Sequence, residues 1–288
     1  MTPATNRPHT TSLALLLSGA GLLLTGCAGA PRVRETHRTE GVSVLPVSEV
    51  TWGALNPARG DASPRAADLW GDRSSPGATG FLVRFADGFA SPPHIHNVTY
   101  RGVVIEGQVH NDDPGAAPMW MPAGSYWTQP AGEAHITAST GRSMAYIEIA
   151  EGPYLVRPTE QAFDTGERPI NVDRANLVWL DASAPGWIDL NTDRAGSGEA
   201  RIATLWETDG PASARGALLE LPAGYRGAIR AEDATLRAVV IEGRVGVESA
   251  PSDLAPGSAI EAEGGSPVWL STPAGVGCVL YLRTSVDH

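Results

Sequence analysis

Three histidines in the first half of this 288-residue chain have the types and spacing of a metal site. His94 and His96 are two residues apart, so on an extended strand both imidazoles project from one face. His135 follows the turn Pro130-Ala131-Gly132, which brings the chain back on a later strand. Imidazole is a borderline ligand that suits Fe, Mn, Zn, Ni and Cu alike, so the set would hold one divalent transition metal. Three protein ligands leave positions open for water or a small oxygen-bearing molecule. Tyr100 lies four residues beyond His96, where its phenol can donate a hydrogen bond or a proton.

The elements that must position these residues come in two copies. Arg101-Gly-Val-Val-Ile-Glu-Gly107 recurs as Arg237-Ala-Val-Val-Ile-Glu-Gly243, and Leu69-Trp70 recurs as Leu205-Trp206 at the same offset of 136 residues. Thr79–Gly88 has its counterpart in Arg215–Gly224, and Pro122–Ser125 in Ala255–Ser258. Four blocks in one order at nearly constant spacing mean two copies of one domain. Within each copy the pattern is of short strands, as in Phe81–Phe85, Arg101–Ile105 and Met144–Ile149, punctuated by Gly and Pro clusters. Sustained helical periodicity is absent; only residues 159–164 suggest a turn of helix. Such spacing predicts an all-β sandwich or barrel.

The motif spacing resembles that of the cupin superfamily. Gly88, His94, His96 and Gly107 fall on the first cupin motif, with Tyr100 where the family has Glu. Gly124, Pro130, Gly132 and His135 fall on the second, with Ser139 where the family has Asn. The resemblance is to bicupins of the domain-of-unknown-function type, related to the cupin domain of anti-sigma factors. It implies an all-β chain of two tandem double-stranded β-helix (jelly-roll) barrels. It also implies His94, His96 and His135 as metal ligands. Replacing Glu by Tyr100 removes the anionic ligand, because an unperturbed phenol has a pKa near 10. Three neutral imidazoles leave a dication, which favours an anionic or enolisable ligand.

Only the first copy carries the site. The positions of His94, His96, Tyr100 and His135 become Arg230, Glu232, Leu236 and Val268 in the second copy, which is therefore expected to be structural. Arg230 and Glu232 read as an ion pair before a ligand pocket. His110 is expected on an outward face, because the second copy has Gly246 there between two valines. Glu106 shares strand parity with Tyr100, yet Glu242 repeats it in the copy without ligands, which points to a turn-stabilising role. Trp120, Tyr126 and Trp127 stand near the second motif, either as pocket wall or as core. The sequon Asn97-Val98-Thr99 overlaps the metal motif and is discounted.

The N-terminus reads as a targeting segment. Leu13–Leu24 is a short apolar stretch ending in Leu24-Thr25-Gly26-Cys27, which resembles a bacterial lipobox. Residues 1–26 would be the signal peptide, Cys27 the lipidated residue and 27–46 a flexible tether. The first cupin would then span 47–155, a linker 156–174 and the second cupin 175–288. The expected location is the cell envelope on the periplasmic side, with the anchor as the sole membrane contact. A net charge of −11 without a basic cluster excludes a nucleic-acid partner. Cys278, in an apolar run, is expected to be a buried inert thiol. Two functions remain open: a metal-dependent, dioxygenase-like or isomerase/hydrolase enzyme acting on a small molecule, and a non-catalytic metal- or ligand-sensing module. Homo-oligomer formation is also left open.

Overall fold

A computed structural model describes residues 37–39, 41–191, 199–208, 210, 213–231, 234–248, 250 and 252–286. The signal segment, Cys27 and Glu232 lie outside the described residues. Among the described residues helix is confined to three 3-10 turns, Pro57–Ala62, Thr159–Gln161 and Arg174–Asn176. None of these is long and apolar enough to cross a membrane. Everything else regular is strand, as the alternating patterns predict.

Two jelly-roll barrels result. The first is built on an eight-stranded sheet whose centre is Tyr100–Asp112 between Tyr126–Gln129 and Ile136–Ile149, followed outward by Thr79–Phe85 and Arg65–Trp70. The second repeats it with Thr235–Gly243 between Ala259–Ala262 and Cys278–Ser285, followed by Ala214–Leu221 and Arg201–Glu207. A four-stranded sheet including Arg226–Arg230 and Val268–Ser271 forms its other face. Each central strand carries a register shift at the same place in the repeat, between Val104 and Glu106 and between Val240 and Glu242. Such a bulge resets the alternation of side chains. Tyr100 and Val104 before it and Val109 after it belong to one core, so facing parity changes from even to odd. Glu106 is exposed as a result, which explains why its sequence parity with Tyr100 does not bring it inside.

Two expected boundaries are corrected. Residues 42–45, placed in a tether, form a buried strand that pairs with Ala259–Ala262 of the second barrel. Val42, Val44 and Leu45 supply the apolar side chains that hold it there. The segment 156–174, expected as a linker, belongs to the first barrel. Val156–Arg157 pairs with Ile95–His96, and Ile170–Val172 pairs with Tyr126–Gln129. Each large sheet is thus completed by the strand that precedes the other copy in sequence.

The two large sheets share a core. Leu69, Trp70, Leu82, Val103, Ile105 and Tyr146 of the first barrel pack with Leu218, Val239, Ile241, Val279 and Tyr281 of the second. The repeat shows in the contacts: the Arg101 guanidinium lies 4.1 Å from the Trp206 ring centre, and Arg237 lies 4.6 Å from that of Trp70. These reciprocal stacks let charged heads sit at a largely apolar junction. Tyr126 faces this junction, so it packs as core and does not wall the metal motif.

Candidate metal centre

Backbone pairing brings the three histidines together. His94 and His135 exchange both main-chain hydrogen bonds, each N–H reaching the other's carbonyl at 3.0 Å. That reciprocal bridge sets their rings 4.4 Å apart. His96 lies on the two-residue strand Ile95–His96, and its carbonyl accepts from Gly132 N at 2.8 Å. Gly132 adopts φ +77°, and a Cβ there would lie 2.4 Å from the Phe163 carbonyl. The Pro-x-Gly turn therefore requires glycine.

One ligand atom from each of His94, His96 and His135 lies within 4.8 Å of the others. Each ring's Nδ1 faces a main-chain carbonyl: Pro92 at 2.9 Å, Leu155 at 3.0 Å and Glu133 at 3.1 Å. A carbonyl only accepts, so each Nδ1 carries the proton and each Nε2 is left with its lone pair. This is the tautomer a metal needs, fixed by the partner on the far nitrogen. Burial adds to it by disfavouring the charged rings. The pKa of His94 is lowered, that of His96 lies well below the ordinary value, and that of His135 is lowered to about 3. A neutral, three-Nε2 set of this kind fits one divalent transition metal.

Tyr100 is buried beside this set. Its hydroxyl donates to Asn111 Oδ1 at 2.8 Å and lies 3.2 Å from His135 Nε2. Desolvation raises its pKa above the ordinary phenol value, so it stands as a proton donor and not as an anion. Asn111 in turn accepts from Thr137 at 2.7 Å and donates to Gln129 at 2.9 Å. The bulge in Tyr100–Asp112 is what turns Asn111 inward, so strand parity in the sequence gave no sign of it.

Tyr154 was not anticipated from the sequence. Its hydroxyl is 3.0 Å from His96 Nε2, and its ring stacks on the imidazole at 4.2 Å. Asn97 holds this segment in place, donating to the Pro153 carbonyl at 2.9 Å and accepting from Leu155 N at 2.8 Å. The sequon asparagine is thus engaged with its own fold. No local motif marks Tyr154, because 58 residues separate it from His96.

The remaining candidates sort by position. His110 is buried on the other face of its strand, accepting from Met119 N at 3.3 Å and packing on Trp120. Trp127 lines the cavity with Tyr100, whereas Trp120 is partly exposed away from it. Ser139, in place of Asn, donates to the Ala86 carbonyl at 2.9 Å. In the second barrel Leu236 and Val268 are absorbed in a hydrocarbon core, and Arg230 pairs with Asp189 at 2.9 Å. Among the described residues, His94, His96 and His135 make the single cluster able to hold a metal. Cys278 is a free buried thiol whose pKa burial raises to about 12, which leaves it unreactive at neutral pH.

The centre opens into a cavity of about 390 Å³, walled by Val83, Phe85, Trp127 and Ile147. Its size and apolar lining are those of a small-molecule site.

Comparison with solved structures agrees on the fold. A dioxygenase candidate from Nostoc punctiforme is 15% identical with a TM-score of 0.56, covering 84% of this chain and 82% of its own. The protein Ylba from E. coli, of the DUF861 family, is 10% identical with a TM-score of 0.55 over 86% and 92%. An oxalate decarboxylase variant from Bacillus subtilis is 10% identical with a TM-score of 0.53 over 88% and 79%. At these identities the likeness is one of fold, that of the cupin jelly roll. No curated protein matches the chain. The family model for the domain of unknown function DUF4437 matches residues 43–288, both barrels together, and the chain belongs to that family.

Proposed function

We propose that this protein is a metal-dependent enzyme, dioxygenase-like in its chemistry, that transforms a small oxygen-bearing molecule in its N-terminal barrel. The observation that carries this reading is the convergence of three Nε2 lone pairs, each tied through Nδ1 to main chain, at the end of an apolar cavity. His94, His96 and His135 would hold the ion. A redox-active Fe, Mn, Cu or Ni bound there supplies oxygen chemistry, and Zn supplies Lewis acidity for hydrolysis or isomerisation.

The protein's own part is binding, orientation and proton control. Tyr100 keeps its proton and can turn it from Asn111 to an oxygen of the bound molecule. Tyr154 covers His96 and offers a second phenol. The hydrocarbon walls exclude water, which strengthens each of these interactions. Attachment to the cell envelope through Cys27 is part of the same proposal, supported by the apolar stretch and the Leu24-Thr25-Gly26-Cys27 pattern.

The test is metal analysis of protein supplied with each candidate ion in turn. About one equivalent per chain is expected for the wild type and less than about one tenth for His96→Ala. The loaded wild type should then consume oxygen or convert a member of a small-molecule panel, and His96→Ala should not. Metal bound tightly without any turnover would leave a binding module in place of an enzyme.

A further inference from the structure

The cavity above the histidines carries cationic side chains. Arg59 and Arg157 line it together with the hydrocarbon walls, and among the described residues no Asp or Glu side chain does. Arg59 stands on the 3-10 turn Pro57–Ala62, which is capped by Asn56, another residue of the lining. Its guanidinium lies 5.6 Å from the centre of the Phe89 ring, which also faces the cavity. Arg157 arrives on the strand that pairs with Ile95–His96.

Several arginines elsewhere have carboxylate partners, as Arg73 has Asp68 at 2.6 Å, Arg201 has Glu220 at 2.6 Å and Arg215 has Glu207 at 2.6 Å. Among the described residues no ion pair involves Arg59 or Arg157. Two half-buried arginines beside an apolar cavity, with no carboxylate partner among the described residues, attract an anion more strongly than they would in open water. The planar guanidinium fork matches a carboxylate.

Building on His94, His96 and His135 as the reacting centre, we propose that the molecule bound here is a small carboxylic acid with an apolar body. Its carboxylate is held at the rim by Arg59 with Arg157, away from the histidines. Its hydrocarbon packs on Phe85, Phe89, Trp127 and Ile147, and its far end lies at the histidines. A volume of about 390 Å³ selects single-ring or short-chain acids.

The experiment compares 3-phenylpropanoate with 3-phenylpropanamide by calorimetric titration, using metal-loaded protein and protein stripped with chelator. The acid is expected to bind at least about tenfold more tightly than the amide in both forms. In Arg59→Gln that ratio should fall toward one, in Arg59→Lys it should recover in part, and in Arg157→Gln it should fall by less. Equal binding of acid and amide, no binding of either, or a preference that survives in the Arg59→Gln, Arg157→Gln double variant overturns the proposal. A preference seen only with metal and lost in His135→Ala places the carboxylate on the ion; it too overturns the proposal, while leaving the metal reading intact. Acid preference in a protein that loads no metal does the reverse.

Discussion

Desolvation disfavours charge on all three imidazoles, most on the buried His96 and His135, and that has a measurable consequence. A histidine whose folded pKa lies below its unfolded value of 6.5 takes up protons preferentially when the chain unfolds. Its contribution to stability is therefore present above pH 6.5 and is lost as pH falls toward the folded value, about 3 for His135. The melting temperature of metal-free protein should decline across that window. His135→Gln should decline less steeply over the same range, the difference reaching a few kcal/mol at its acid end. A second prediction concerns Asn97, which touches no ligand nitrogen but grips the segment whose Leu155 carbonyl orients His96. Asn97→Ala should weaken metal affinity by roughly 10- to 100-fold, read by competition with a chelating dye, without altering the far-UV spectrum.

At the scale of strands, one difference between the two copies has a steric cause. Gly102 pairs across the sheet with Trp127, and a Cβ on Gly102 would meet the indole ring at 2.2 Å. In the second barrel the same pair is Ala238 opposite Ile260, whose smaller side chain leaves room for the methyl. Gly102→Ala should therefore cost about 1–3 kcal/mol in urea unfolding by forcing Trp127 from its place. Ala238→Gly should cost only about 0.5–1 kcal/mol, the ordinary price of a strand glycine. Since Trp127 also walls the cavity, Gly102→Ala should change ligand affinity as well, and Ala238→Gly should not.

For the molecule as a whole, the two barrels are one cooperative structure because their large sheets share a core and exchange edge strands. Removing residues before 47 takes Val42–Leu45 from the second barrel, exposing an unpaired edge and the pocket that Val42, Val44 and Leu45 filled. That truncation should lower stability by about 5 kcal/mol or more, at roughly 1.5–3 kcal/mol per buried side chain. Calorimetry of the shortened chain distinguishes a strand from a tether.

The repeat, the strand-rich pattern and the spacing of His94, His96 and His135 are local properties, and the sequence alone determined them. Turn glycines, β-branched runs and a two-residue histidine spacing act over a few residues, so the two barrels and the three-histidine group were both legible. What only the tertiary structure decided depends on contacts between segments far apart in the chain. The bulge after Val104 reversed strand parity, turning Asn111 in and Glu106 out. The strands at 42–45 and 170–172 crossed between copies because the vacant sheet edge available to each lies on the other barrel. Tyr154 and Arg59 reached the cavity from loops that carry no motif. Spacing can say which residues are able to do chemistry, but the packing of distant segments sets which of them meet and what charge surrounds them.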